Sequence, residues 1–312
     1  GCNAIMDALA RVFVRAGGRI ETSSPVASLD ITNGRVSGLH LGGDRAGERV
    51  PCDHAVINAD AAWAIKNLIP ERLRGRDSDR SVDRKKYSCS TFMLYLGVEG
   101  EVDLPHHTIR TAPAYERNLE DISRGNGARG SLTDDPSFYV CNPSVTDPGL
   151  APRGDSSVYV LLPTPNGKAD IDWSTESDRL RELLLDRIEG VLGQDLRGRV
   201  RAEKRISPDD WRAMNINHGA TFNLAHSLDQ MLHKRPQHKL PYCEGAWLVG
   251  GGTHPGSGLP VIFLSAQITA SMLCERLGVG GPEMTPGDPG EFNAFDAAGR
   301  VSRGMEPAGA GA

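Results

Sequence analysis

The sequence is poor in aromatic residues, 5% of 312, and has no long run of one charge. Lys and Arg number 35 against 40 Asp and Glu, a formal net charge of −5. A mildly acidic chain without a basic cluster is a poor electrostatic match for nucleic acid. Long apolar runs are missing too. The nearest, residues 260–274, is broken by Ser265, Gln267, Thr269 and Ser271, and falls short of the ~20 residues that a spanning helix needs. No two of the six cysteines (Cys2, Cys52, Cys89, Cys141, Cys243, Cys274) form a CxxC. Such dispersion argues against a disulfide framework or a zinc site and for free thiols in a reducing cytoplasm. No repeats of 20–50 residues occur. The chain opens Gly1-Cys2-Asn3, without Met and without a basic segment leading into an apolar one. No signal peptide is visible, and the expectation is that the true N-terminus lies upstream.

What is present suffices for a core. Hydrophobic residues make up 39% and charged residues 24%, and the length allows about two domains. Ile5, Leu9, Val12 and Phe13 share one helical face and predict a helix over 3–16, stopped at Gly17-Gly18. Strands are predicted at 19–22, 26–31, 36–41 and 55–57, with Asn33-Gly34 as a hairpin turn. Asn58-Ala59-Asp60 leads into a helix carrying Ala62, Ile65 and Leu68. Residues 71–86 alternate in charge and read as a solvated surface segment. Buried strands are predicted at 91–97, 137–141 and 157–162, and a helix at 177–192. Ser207-Pro208-Asp209-Asp210 has the form of a helix start. Residues 279–312, rich in Gly, Pro and Ala, are expected to be mostly disordered.

The most informative segment runs Ala246-Trp247-Leu248-Val249-Gly250-Gly251-Gly252-Thr253-His254-Pro255-Gly256-Ser257-Gly258-Leu259-Pro260-Val261-Ile262. An apolar strand ends in glycines, and Pro260 then opens an apolar helix to about Leu277. Glycines let main-chain N–H groups approach a ligand without Cβ interference. The free amides and dipole of the following helix would face the loop. That geometry suits a pyrophosphate or the carbonyl edge of a flavin, and equally a tight strand-to-helix connection with no ligand. It is not a P-loop, because no GK[ST] follows, and no GxGxxG occurs anywhere.

Other candidates are weaker. His106 and His107 are adjacent, so on a strand they would face opposite ways and could not share a metal. His218, His226 and His233 are interrupted by Gly219 and lack an HExxH pattern. No metal site is expected. Asp134-Asp135 precedes Pro136 and reads as a turn. Ser257 sits in Gly-Ser-Gly rather than the GxSxG of a nucleophile elbow.

Together these residues resemble the bacterial-type phytoene desaturase family of FAD-dependent carotenoid desaturases. The resemblance rests first on the segment from Leu248 to Pro260. It is supported by Leu104-Pro105-His106-His107-Thr108-Ile109, Asp135-Pro136-Ser137-Phe138-Tyr139 and Pro143-Ser144-Val145-Thr146-Asp147-Pro148. Leu150-Ala151-Pro152, Asp172-Trp173 and Arg235-Pro236 also fit, so the match covers about residues 1–277. It implies an α/β fold in which an incomplete FAD-binding domain, Rossmann-like and of the glutathione-reductase type, joins a substrate domain built on an antiparallel sheet. The implied division is 1–60 as a second FAD-domain segment, 61–205 as substrate domain, 206–278 as a return to the FAD domain, and 279–312 as a tail. By position the resemblance implicates Gly251, Gly252, Gly258, Leu259, Pro260 and Val261 at the flavin and Val26 at the adenine. The family's N-terminal GxGxxG is absent, which marks the chain as a C-terminal fragment expected to bind FAD poorly and to be inactive alone.

The activity implied is desaturation of phytoene towards lycopene in carotenoid biosynthesis. Removing a hydride equivalent and a proton from adjacent carbons requires a redox cofactor. A hydrocarbon substrate requires an apolar tunnel, for which Phe92, Leu94, Tyr139 and Phe222 are lining candidates. His254 is the one titratable residue placed near the flavin, with a loop-bracing hydrogen bond as its alternative role. The implied surroundings are a polyene substrate, a membrane surface reached peripherally from the cytoplasm, and quinone or oxygen as electron acceptor. Three other readings stay open: a C30 diapophytoene desaturase or carotenoid oxygenase, a flavin amine oxidase-like enzyme, and a non-catalytic fragment.

Overall fold

Helix α1 (Asn3–Arg15) forms where its periodicity predicts and ends at Gly17, which takes φ 88°. None of its residues is buried, and Ile5, Leu9, Val12 and Phe13 all stand exposed. The computed structural model describes residues 3–123 and 132–281. The expected tail lies outside the described residues from 282 onward. Residues 19–22 are not a strand. The glycines before them and Ser23 at φ 54° bend the chain, and Glu21 is held instead by ion pairs to Arg19 and Arg45.

Asn33 and Gly34 take φ of 52° and 76°, as a primed hairpin turn requires. They join β1 (Val26–Thr32) to β2 (Arg35–Leu41), and β3 (Arg49–Pro51) extends this antiparallel sheet. Next comes β4 (Ala55–Ile57), then α2 (Ala61–Leu68), capped by Asp60, whose carboxylate accepts from Trp63 N–H at 2.8 Å. Residues 71–86 are not merely solvated. They include α3 (Asp79–Asp83), bury Val82, and bury Arg74 in a 2.5 Å ion pair with Asp79. Charge alternation misled here because the Arg74 stem packs inward while its charge finds a partner.

The middle of the chain forms a five-stranded antiparallel sheet. Its elements are β5 (Ser90–Val98), β6 (His107–Arg110), α4 (Tyr115–Ser123), β7 (Phe138–Cys141), β8 (Ser156–Thr164), α5 (Trp173–Leu192) and β9 (Val200–Ile206). The strand order is β6-β7-β8-β5-β9. One face, with Phe92, Leu94, Val158, Val160 and Leu162, packs under Leu180, Leu184 and Ile188 of α5. Strand alternation sends Tyr95, Tyr139 and Tyr159 to the opposite face.

A short α6 (Pro208–Ala213) begins with a complete Ser207/Asp210 capping box. Then β10 (Ala246–Leu248) pairs in parallel with β4, Leu248 opposite Ile57. Last comes α7 (Leu259–Leu277), stopped by Gly278 at φ 68°. A first core joins Leu29, Val36, Ile65, Val82 and Tyr87 to Ala220, Leu240 and Leu248; a second lies between the five-stranded sheet and α5. Helices α2 and α3, expected in the substrate domain, therefore pack with the first core. The change of packing partner falls between Tyr87 and Phe92 rather than at residue 61.

Candidate functional site

The loop from β10 to α7 is held by the chain beneath it. A Cβ on Gly250 would come within 2.6 Å of Asn58 Oδ1, and one on Gly252 within 2.6 Å of Asn223 Oδ1 and 2.9 Å of the Ala61 Cβ. On Gly256 it would meet His226 Nε2 at 2.5 Å. These glycines are needed because the start of α2, Asn223 and His226 press against the loop.

The deepest support is Arg235, 1% exposed. Its guanidinium donates to the carbonyls of Gly251 (2.7 Å), Thr253 (3.2 Å) and Leu224 (3.2 Å). Burial pushes its pKa down from the usual guanidinium value. His226 Nε2 accepts from Ser257 N–H at 3.2 Å, which fixes the other nitrogen as the protonated one in the neutral ring. Burial, then the Arg235 charge, hold its pKa below the ordinary value. On the α7 side, Gly250 N–H donates to Ser265 Oγ at 3.2 Å. The Thr269 hydroxyl lies 3.0 Å from the Leu248 carbonyl and 2.8 Å from His238 Nδ1.

Below the loop, burial raises the Asp60 carboxyl to a pKa of about 6 against three backbone hydrogen bonds that lower it. Among the described residues its Oδ2 has no hydrogen-bond partner. Above, the first turn of α7 has no side-chain cap. Helix geometry leaves the amides of Leu259 and Val261 without intrahelical acceptors, and Gly258, Leu259 and Pro260 are exposed while Val261 is half-buried. An uncapped, open helix start can hold an anion or a polarised carbonyl.

The structure brings the expected residues together only in part. Gly251 and Gly252 lie in the turn after β10, whereas Gly258 stands at the N-cap of α7 and Leu259, Pro260 and Val261 form its first turn; Gly252 is buried against Ala61 rather than bare toward solvent. Val26 packs on the first core, which also contains Leu248. His254 lies 6.0 Å from His238 between ring centroids, and among the described residues its buried Nδ1 has no hydrogen-bond partner. Phe222 is exposed beside Asn223. Tyr139 lies on the open face of the five-stranded sheet, next to Tyr159 at 5.9 Å between centroids. Phe92 and Leu94 do not line an open face. Both are 0% exposed beneath α5, because their register turns them to the helix side. Arg235, Asn223, His226 and Asp60 are the site residues that sequence reasoning did not assign; the Arg-Pro pair at 235–236 was the one available signal.

No protein-family model matches the chain. Among curated proteins it is 41% identical over 278 residues to a 4,4'-diapophytoene desaturase (4,4'-diapolycopene-forming) of Methylomonas sp, covering 88% of this chain and 53% of that protein. It is 41% identical over 268 residues to the all-trans-zeta-carotene desaturase of Myxococcus xanthus (85% and 50% covered). To the neurosporene-forming phytoene desaturase of Rhodobacter capsulatus it is 34% identical over 281 residues (88% and 52%). The chain thus spans about half the length of the curated relatives it matches. Among solved structures, an oxidoreductase from Methanosarcina mazei superposes with TM-score 0.57 at 16% identity, over 86% of this chain and 53% of that one. The PF1083 protein of Pyrococcus furiosus superposes with TM-score 0.53 at 17% identity, over 90% and 53%. These two show the shared mixed α/β fold. In sequence the chain is similar, over 85–88% of its own length, to about half of each of the carotenoid desaturases named above.

Proposed function

We propose that this chain is the loop-and-sheet half of an FAD-dependent carotenoid desaturase acting on a linear polyene, with phytoene towards lycopene as the leading reaction. The observation that carries this reading is the braced glycine loop opening on an uncapped helix start. The donor set suits a flavin: free amides at Leu259 and Val261, an unpartnered His254 Nδ1, and no acidic side chain in the first turn of α7. FAD would supply the acceptor for the hydride equivalent taken from the substrate. The chain's own residues orient and shield. Arg235 and His226 fix the loop, and the amides of Leu259 and Val261 would hold the ring edge.

For the substrate, the open face of the five-stranded sheet offers Tyr95, Tyr159 and Tyr139, each pair of neighbours 5.9 Å apart. Beside Tyr95 lies an apolar hollow of about 380 Å³, bordered by Leu150, Pro152 and Ala202. A hydrocarbon without polar groups binds through buried area, at ~25 cal/mol per Å². An aromatic and aliphatic wall that keeps water out is therefore the required feature. Tyr139 and Phe222 remain lining candidates on this reading. Among the described residues no helix is long and apolar enough to cross a membrane. We read access to a lipid-dissolved substrate as peripheral docking from the cytoplasm, with quinone or oxygen as final electron acceptor.

The division we favour follows the packing: a flavin-side unit containing α1–α3 and the segment after β9, and a substrate unit built on β5–β9. The diapophytoene desaturase is as similar as the zeta-carotene desaturase, so a C30 substrate is the second reading. Expressing the complete reading frame in phytoene-accumulating and diapophytoene-accumulating hosts, with pigment chromatography, distinguishes the two. Unchanged pigment in both hosts from a protein that carries FAD would overturn the desaturase reading. Full product from His254→Ala would remove that residue from any chemical part.

A further inference from the structure

We propose that His106, His107 and Cys141 form a binding site for a thiophilic transition-metal ion of the zinc(II) class at the outer edge of the five-stranded sheet. This stands apart from the flavin loop and does not depend on the desaturase reading. Adjacency in sequence argues against two histidines sharing an ion, but that argument holds only within a strand. Strand β6 begins at His107, so His106 lies outside the alternation. Its carbonyl accepts Asn142 N–H at 2.9 Å, and its ring stands 4.2 Å from that of His107. His107 is the register partner of Cys141 on β7, which puts both side chains on one face. One ligand atom from each of the three lies within 4.8 Å of the others.

The supporting groups favour an ion. His106 Nδ1 is 2.6 Å from Thr146 Oγ1, and His107 Nδ1 is 2.6 Å from the Tyr139 hydroxyl. Each ring therefore spends one nitrogen on an orienting hydroxyl and keeps Nε2, the arrangement that metal-bound histidines use. Cys141 is 3% exposed, and the phenols of Tyr139 and Tyr159 lie beside its thiol. Two imidazoles and a thiolate suit zinc or copper and not magnesium or calcium. Zinc bonds of about 2.0–2.3 Å place tetrahedral donors roughly 3.3–3.5 Å apart. Closing the present spacing asks for a shift of about an ångström, which the exposed His107 can provide. A fourth position would be left to water. Cys141 would bind as thiolate, releasing its proton to solvent. The consequence is mechanical: β6 has four residues and pairs only with β7, and an ion would pin it there.

The test is calorimetric titration of the chelator-treated full chain with Zn²⁺, repeated with Co²⁺ as an optical probe. One ion per chain, and a cobalt spectrum with a sulfur-to-metal charge-transfer band, are expected. His107→Ala, His106→Ala and Cys141→Ser should each weaken binding more than about tenfold. His107 is exposed, so its variant should keep the fold, checked by circular dichroism. If Cys141→Ser misfolds, the charge-transfer band reports the sulfur. The proposal is overturned by absence of saturable one-to-one binding, by a cobalt spectrum lacking the thiolate band, or by undiminished affinity in the folded His106→Ala/His107→Ala double variant.

Discussion

Arg235 is the residue on which the loop reading can be tested hardest. Its fork reaches three carbonyls on two separate stretches, Leu224 on one and Gly251 and Thr253 on the glycine loop. A hydrogen bond from a charged donor contributes about 1.5–3 kcal/mol. The 2.7 Å contact to Gly251 belongs near the top of that range and the two at 3.2 Å near the bottom. Against this stands the cost of keeping a guanidinium out of water, several kcal/mol. Truncation recovers that cost but strands three carbonyls at about 1–3 kcal/mol each, less whatever water can satisfy. Arg235→Met, which keeps the stem and removes the fork, should therefore lose about 3–4 kcal/mol, the upper end for one substitution. Arg235→Lys retains charge but offers a point in place of a fork, and should recover less than half. Urea unfolding at unchanged slope measures the loss, and limited proteolysis should show new cleavage within 250–258. A Met variant within about 0.5 kcal/mol of the parent and equally resistant to protease would refute the bracing role.

Gly252→Ala should destabilise by about 1–3 kcal/mol through its collision with Asn223 and Ala61. Gly190→Ala, in α5 with nothing within 4 Å, should stabilise by about 0.5–1 kcal/mol. Thermal melts decide both, and equal effects would contradict the packing. Asp60 has a folded-state pKa of about 6 against an ordinary 3.8, so the folded form holds more protons in between. Its contribution is complete below about pH 4 and falls by up to about 3 kcal/mol as pH rises through 6. Asp60→Asn, which preserves the cap, should flatten the stability profile between pH 4 and 7; an unchanged slope would remove Asp60 as its source. Val12→Glu on α1, where no residue is buried, should shift unfolding by less than about 0.5 kcal/mol in urea titration. A loss above about 1 kcal/mol would mean that α1 is covered.

The elements legible in the sequence are those fixed by local chemistry. Asn33-Gly34 specified its turn through positive φ, Ser207 and Asp210 specified a capping box, and Gly278 ended α7 in the left-handed region. Strand β9 carries a weak strand signal because Lys204 interrupts the apolar set Val200, Ala202 and Ile206 that alternates with Arg201, Glu203 and Arg205. It is held by β5 and by the ion pairs of Glu203 with Arg181 (2.7 Å) and Arg205 (2.6 Å). The face of β5 could not be chosen either, since Phe92, Met93 and Leu94 are apolar on both sides and only α5 decides between them. Of the site, the glycines and Pro260 were visible, but Arg235, Asn223 and His226 act across tertiary contacts. No spacing rule connects residue 235 to the carbonyls of 224, 251 and 253.

The glycines carry a broader lesson about reading such loops. A glycine loop of this kind suits a ligand or a tight connection alike, and Gly250, Gly252 and Gly256 are each explained by a neighbour in this chain. Gly251, whose neighbours stand at ordinary contact distance, and the uncapped stretch from Gly258 to Val261 are the parts on which the proposed cofactor contact rests. Among the described residues β4 and β10 make a two-stranded parallel pair, and residues 238–240 flank the other edge of β10, Leu240 N–H donating to the Ala246 carbonyl at 3.1 Å and Leu248 N–H to that of His238 at 2.7 Å. Helix α7 buries only Ser265 and Thr269, leaving Leu259, Phe263 and Leu264 to solvent. These side chains are 39–46% exposed, so covering what remains of one contributes about 1 kcal/mol. A further layer laid over α7 would thus be held by the same apolar surface that borders the open helix start. On that argument, covering α7 and closing the open helix start are one energetic problem: on the proposed reading, whatever covers α7 would also wall the cofactor.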